Sequence, residues 1–303
     1  MPYIDKLSVL CSECGCEIKT NELLKNHTTF RIGGNCSIMV LVNSLKSLQT
    51  ILKFLRTENI RYFVLGRGSN IIAADEGFDG VVLKIGKDFS EIKLASETEI
   101  FCTAGVSLKD VCLFALENSL EGMEFAYGIP GSCGGALFMN AGAYGGEISD
   151  VIESAHYLSN TSEICSITAP EMNLSYRNSI FTENREFIIT DMIFKLHKGD
   201  RTEIKSRMDE LMERRRAKQP LEYPSAGSTF KRPEGSYASL LIEQCGLKGM
   251  SVGGAQVSTK HSGFVVNTGN ATCHDVLALT EKVKGIVKEK TGFMLELEPL
   301  LLK

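Results

Sequence analysis

The chain has 303 residues, a formal net charge of −4 and an apolar fraction of 43%, as in an ordinary globular protein with room for two or three lobes. That charge excludes a general nucleic-acid binder, which carries a basic excess, so any anionic ligand needs a local cluster of basic groups. No apolar run approaches membrane-spanning length, and residues 1–10 are too polar and short for a signal peptide, so a cytoplasmic location is expected.

The ten cysteines are scattered through strand-like and helix-like stretches and read as reduced thiols rather than a disulfide framework. Cys11, Cys14 and Cys16 cluster near the start. A zinc site usually takes four ligands and no partner pair follows at a familiar spacing, so no metal is expected.

Along the chain, Cys36–Val42 reads as a strand, and Ser44 opens a helix with Leu45, Leu48, Leu52 and Leu55 at helical spacing. Tyr62–Leu65 and Gly80–Ile85 are further short apolar strands. Ile100–Thr103 is another, and Ser107 with Asp110 forms a capping-box pattern before the next helix. Val151–Leu158 and Phe187–Leu196 are strand-like. Asp200 and Glu203 open a helix that places Ile204, Met208, Leu211 and Met212 on one face. Thr272 and Asp275 cap a last helix with Val276, Leu279, Val283 and Ile286 on its buried stripe, stopped at Gly292. Met294–Leu302 reads as a terminal strand with Glu296 and Glu298 on one face. Strands and helices without regular βαβ repetition predict an α+β fold.

Two glycine-rich loops interrupt this pattern. Gly66-Arg67-Gly68-Ser69-Asn70 follows a strand, and serves equally as a tight turn or as a backbone cradle for an anion. A dinucleotide fingerprint would need a third glycine where Ile71 stands, and then a helix. Gly128-Ile129-Pro130-Gly131-Ser132-Cys133-Gly134-Gly135, with Asn140 to Gly146 close behind, costs much backbone entropy to order. A packed core does not require that, whereas a backbone moulded around a large flat ligand does. Cys133 amid glycines is also loosely like a hydrolase nucleophile, although the pattern departs from G-x-S-x-G and needs a histidine base.

These loops, with three further segments in register, resemble the UDP-N-acetylenolpyruvoylglucosamine reductase (MurB) family. The segments are Asn26 to Gly34, Ser175-Tyr176-Arg177-Asn178-Ser179 and Ala226-Gly227-Ser228-Thr229-Phe230-Lys231-Arg232-Pro233. The resemblance covers residues 26 to 298, and the first twenty-five residues and the tail after Glu298 fit it less well. It implies a two-part FAD-binding region of the vanillyl-alcohol-oxidase (PCMH) type, then a MurB-like C-terminal substrate domain. The expected partition is 1–85, 86–198 and 199–303. The short stretch after Tyr176 resembles the branch without an inserted tyrosine loop.

The resemblance implies non-covalent FAD, with NADPH as co-substrate. Its cofactor contacts fall on Gly66, Arg67, Gly68, Ser69, Asn70, Ile129, Pro130, Gly131, Ser132, Gly134, Gly135 and Gly142. The implied reaction delivers hydride from flavin N5 to the methylene carbon of UDP-N-acetylglucosamine enolpyruvate, giving UDP-N-acetylmuramate for peptidoglycan synthesis. The protein must then stabilise and protonate a transient anion. Arg177 suits the carboxylate, because its guanidinium is permanently charged and offers two parallel donors. Ser228 is placed as proton donor. A carboxylic acid held protonated by burial donates a hydrogen bond; strand alternation leaves Glu296 and Glu298 open, and the resemblance favours Glu298.

Arg214, Arg215, Arg216, Lys218, Lys231 and Arg232 are the one basic concentration, read either as a solvated helix face or as a diphosphate site. Lys218 and Lys231 are the preferred contacts. Arg232 stands where some relatives carry asparagine, and Tyr176 and Gln256 are further substrate-side candidates. One basic pocket shared in turn by NADPH and the UDP-sugar predicts ping-pong kinetics. A sugar or alcohol oxidase of the same fold is the alternative activity, and a flavin-retaining binding protein is the alternative from another class.

Overall fold

The computed structural model describes residues 3–303. They fall into two compact units, each drawn from more than one stretch of chain. Residues 3–20, Ile38–Arg67 and Gly80–Glu213 make the first; Asn21–Ser37, Gly68–Asp79 and Arg214–Lys303 make the second.

Glu17–Leu23, Asn35–Val42, Phe78–Ile85 and Tyr62–Leu65 form a four-stranded sheet in that order. Apolar β-branched runs such as Val81-Val82 favour the pleated, buried backbone. Tyr62–Leu65 runs parallel to Phe78–Ile85, with Leu65 opposite Lys84. The helix Leu45–Thr57 starts at Ser44, whose side chain joins a reciprocal cap with Ser47, and it buries Leu48, Ile51, Leu52 and Leu55 in the first core. Four fully buried side chains of this size, at roughly 1.5–3 kcal/mol each, outweigh the helix's modest intrinsic propensity.

The same core takes one face of a five-stranded antiparallel sheet. Its order is Ile164–Thr168, Ile152–Leu158, Ile188–Lys195, Glu99–Thr103 and Ile92–Leu94. Ser107 caps the helix Leu108–Glu117 by accepting from the Asp110 amide at 3.1 Å. The helix Arg201–Lys218 buries Ile204, Met208 and Leu211, as its spacing predicts. Its N-terminal amides at Thr202 and Glu203 donate to the Asp200 carboxylate.

A helix at Tyr3–Glu13 has no counterpart in the sequence reading. It inserts Leu7 and Cys11 into the first core, and burial, reinforced by Cys16 and Cys14, pushes the Cys11 thiol up to about 12. All ten cysteines are free, and among the described residues no group of His, Cys, Asp or Glu is arranged to hold a metal ion. Among the described residues no helix is long and apolar enough to cross a membrane.

The second unit has its own core around Phe30, Ile242, Val276 and Leu279. Ser251–Val252, Ala255–Val257 and Val265–Asn267 form an antiparallel meander. The helix Cys273–Thr291 contacts its first two strands. That helix has a reciprocal Thr272–Asp275 cap and ends at Gly292 with φ 77°.

The terminal strand is shorter than its alternation predicts. Leu297 makes a single bridge to Phe230, and a regular strand begins only at Leu300–Leu302, paired parallel with Ile71–Ala73. Pro299 has no N–H to donate and so interrupts the ladder.

Candidate functional site

In the first unit the two glycine loops meet. A Cβ added to Gly66 would stand 2.5 Å from Ser132 Oγ, so the close approach requires glycine there. The Lys84 ammonium donates to the Gly66 carbonyl at 2.6 Å and holds the turn. Burial, with a smaller contribution from Arg67, lowers Lys84 to about 8.

Ser132 caps the short helix Cys133–Phe138 and accepts the Gly135 amide at 3.3 Å. The Cys133 and Gly134 amides are already engaged, by the carbonyls of Val106 and Ala104. Among the described residues no acceptor pairs with the amides of Gly131 and Ser132, although Ser132 is buried. These two, with the Gly128 amide, rather than the whole helix N-terminus, are the loop's available donors. Ile129 and Gly131 are half-buried and Pro130 is exposed. Cys133 is 0% exposed, which removes it as a nucleophile toward any substrate.

Arg177 belongs to this unit and has φ 56°, a left-handed conformation uncommon for arginine. Its guanidinium donates to the carbonyls of Asn140, at 3.5 Å, and Gly142, at 3.4 Å, and lies 5.1 Å from the centre of the exposed Tyr176 ring. The small-residue stretch after the second loop therefore orients Arg177. Asn140, fully buried, helps fix that stretch, its side chain donating to Ser175 O and accepting from the Ser149 amide.

Gly68, Ser69 and Asn70 belong to the second unit, as do Ser228 and Glu298. Gly68 has φ 65° and its Cβ would strike the His27 carbonyl at 2.2 Å, so only glycine serves. Its carbonyl accepts the Thr29 amide, and Thr29 Oγ1 donates to Ser225 O at 2.7 Å. The Asn26 to Gly34 motif thus ties the glycine turn to the segment leading into Ser228.

Ser228 follows Gly227, which has φ 78° and open space around it. On the other side, Thr229 is buried and pinned: its amide donates to Gly263 O, and its hydroxyl accepts the Val265 amide. The Glu298 amide donates to Thr229 O at 3.0 Å, and Asn70 Nδ2 donates to Glu298 O at 3.4 Å. The two glutamates left open by alternation differ in surroundings. Glu296 is exposed and ion-paired with Lys231 at 3.4 Å, whereas Glu298 is half-buried.

The basic residues are dispersed in character. Lys218 is exposed on the last helical turn, and the Arg232 guanidinium stacks 4.7 Å from the centre of the Tyr237 ring. Gln256 spends its amide on Gly249 O and Ser251 Oγ. Nearby His261 accepts the Gly263 amide at Nδ1, and its pKa is lowered chiefly by burial. Sequence reasoning missed Lys84 and Thr29. A lone lysine inside the run Val81-Val82-Leu83-Lys84-Ile85 is the signal that was available for the first.

Fold and loops together define a class, an α+β flavoprotein oxidoreductase with a two-part FAD-binding region of the vanillyl-alcohol-oxidase type. Residues 36–168 match the FAD binding domain model, and 219–302 match the UDP-N-acetylenolpyruvoylglucosamine reductase C-terminal domain. A 4-ethylphenol oxidase from Gulosibacter chungangensis shares the fold alone (16% identity, TM-score 0.50, 65% of this chain and 43% of that one).

The particular family follows from longer matches. The UDP-N-acetylenolpyruvoylglucosamine reductase of Clostridium tetani is 48% identical over 99% of this chain and 97% of its own, and that of Clostridium novyi 50% over 93% and 91%. The solved Thermus caldophilus MurB superposes with TM-score 0.81 at 33% identity, over 95% of this chain and 99% of that one. This chain belongs to the UDP-N-acetylenolpyruvoylglucosamine reductase family. Because the Clostridium tetani alignment takes in 301 residues, the first twenty-five are no departure from the family as a whole.

The residues present fit FAD. Its diphosphate is an anion, and the first unit offers the unpaired Gly131 and Ser132 amides beside the Gly66 turn, with Lys84 bonded to that turn's carbonyl.

Proposed function

We propose that the protein catalyses the NADPH-driven reduction of UDP-N-acetylglucosamine enolpyruvate to UDP-N-acetylmuramate, a cytoplasmic step of peptidoglycan synthesis. The observation that carries this reading is the 48% identity over 99% of the chain to a relative bearing the reductase name. FAD, bound without a covalent link at Gly66–Asn70, Ile129, Pro130, Gly131, Ser132, Gly134, Gly135 and Gly142, supplies the hydride chemistry.

The chain's own residues then have three tasks. Arg177 binds and orients the substrate carboxylate; the carbonyls of Asn140 and Gly142 that hold its guanidinium support this role. Ser228 delivers the proton to the carbon beside the carboxylate, helped by the rigid placement of Thr229 next to it. Glu298, in its protonated form, donates a hydrogen bond to the developing negative charge; its enclosure relative to the ion-paired Glu296 favours it for that task.

Lys218, Lys231, Arg232, Tyr176 and Gln256 are assigned to the UDP-sugar, with Lys231 exchanging Glu296 for a phosphate. We retain 1–85, 86–198 and 199–303 as the functional partition. NADPH and the UDP-sugar take turns in one pocket, giving ping-pong kinetics.

The test is NADPH oxidation by the purified holoprotein with and without UDP-N-acetylglucosamine enolpyruvate. Strong dependence on that substrate, largely lost in Ser228→Ala, is the expected result. Rapid oxygen consumption with a sugar or alcohol, and no response to the enolpyruvyl compound, would move the activity to an oxidase. A stable ternary complex of holoprotein, NADP and UDP-sugar would refute the shared pocket.

A further inference from the structure

Lys84 occupies a position that costs free energy in the protein alone. It is half-buried in an apolar strand, on the face it shares with Val82, which is 0% exposed, and it stands opposite Leu65 across the sheet. Among the described residues no carboxylate lies within 4 Å of its ammonium, whose acceptor is the Gly66 carbonyl. The charge that acts on it is another cation, Arg67.

The surrounding elements bring little to offset it. Strand Tyr62–Leu65 has no charged group, and neither do residues 38–42. Loop Gly128–Gly135 carries only the buried Cys133 thiol. On its own segment, Asp79 stands at the far end of the strand, and Lys87 and Asp88 follow it, exposed. Supporting one carbonyl requires only a neutral donor. Two cations on one glycine turn, without a counter-charge, suit an anion that the turn itself receives.

We propose that Lys84 is a cofactor-binding cation, which fixes the Gly66 turn through its carbonyl and, with Arg67, neutralises the diphosphate of FAD. The proposal rests on the FAD-binding reading and adds to it a residue outside the glycine loops. A dianion brought next to an ammonium favours its charged form. Since Lys84 is lowered to about 8 in the protein alone, FAD binding above that pH draws a proton onto it.

The test uses the full chain stripped of FAD. FAD is titrated back at about pH 9 by flavin fluorescence, and by calorimetry in two buffers of different ionisation enthalpy, which counts protons. Wild type is expected to take up a large fraction of one proton per FAD. Lys84→Met should lose that uptake and bind FAD roughly 10- to 100-fold more weakly, as for a lost charge-assisted contact. Lys84→Arg should retain binding within several-fold and show no uptake, since arginine does not titrate there.

Uptake that persists in Lys84→Arg would overturn the proposal, as would unaltered affinity in a folded Lys84→Met. If Lys84→Met fails to fold, the arginine variant alone decides. Wild type that binds no FAD would overturn the flavoprotein reading itself, a different outcome from tight binding without proton uptake.

Discussion

The meeting of Gly66 and Ser132 allows a compensation experiment. In Gly66→Ala the new Cβ falls 2.5 Å from Ser132 Oγ, where ordinary contacts begin at 3.4 Å, so the loops must part by about 1 Å. Overpacking of this kind costs about 1–3 kcal/mol, and with FAD seated on both loops as proposed the cost should appear as a roughly 5- to 150-fold weaker Kd. Ser132→Ala alone loses the helix cap to Gly135, about 1 kcal/mol or roughly fivefold. In the double variant the nearest atom to the Gly66 Cβ is the residue 132 Cβ at 3.6 Å, an ordinary contact. The clash then vanishes, and the double variant should bind FAD about as well as Ser132→Ala, leaving a coupling of at least about 1 kcal/mol. Fluorescence titration of FAD onto the four apoproteins measures this, with thermal melts to separate unfolding from weaker binding. Additive losses in the double variant would refute the claim that these two loops share one surface.

Three further outcomes follow from the same structure. Arg177→Lys should lower kcat by about 10²–10³ with an unchanged flavin spectrum, because an ammonium cannot keep two carbonyls and face a carboxylate bidentately; steady-state kinetics on the holoprotein checks this. His261 has its folded-state pKa below the ordinary value, so the unfolded chain binds more protons as pH falls past that value. Stability should therefore fall as the pH is lowered through the ordinary histidine value of about 6.5, and the Tm of His261→Gln should be less sensitive to that change. Thr272→Ala should cost about 1 kcal/mol in the second unit, since it removes the acceptor for the Asp275 amide at 3.0 Å; denaturant unfolding measures it.

Local order was readable from the chain. The helices opened by Ser44, Ser107, Asp200 and Thr272 lie where capping residues and apolar spacing put them, because caps and helical periodicity act over a few residues. The MurB-type resemblance named the two glycine loops and the Arg177, Ser228 and Glu298 positions. The helix Tyr3–Glu13 was not legible, since its hold comes from burying Leu7 and Cys11 in a core built by distant segments. Nor was the end of the terminal strand, where one proline outweighs a clean alternation.

The sequence by itself determined the element types and the family, since these depend on residue identity and spacing along the chain. Only the tertiary structure decided that Gly66 must be glycine because of Ser132, and that Gly131 and Ser132 keep their amides while Cys133 and Gly134 spend theirs. It alone paired Glu296 with Lys231 and left Glu298 half-buried, and it set the Lys84 ammonium on the Gly66 carbonyl. Each of these depends on a partner far away in sequence. Contact and desolvation act through space, and no local pattern records which distant group will stand there.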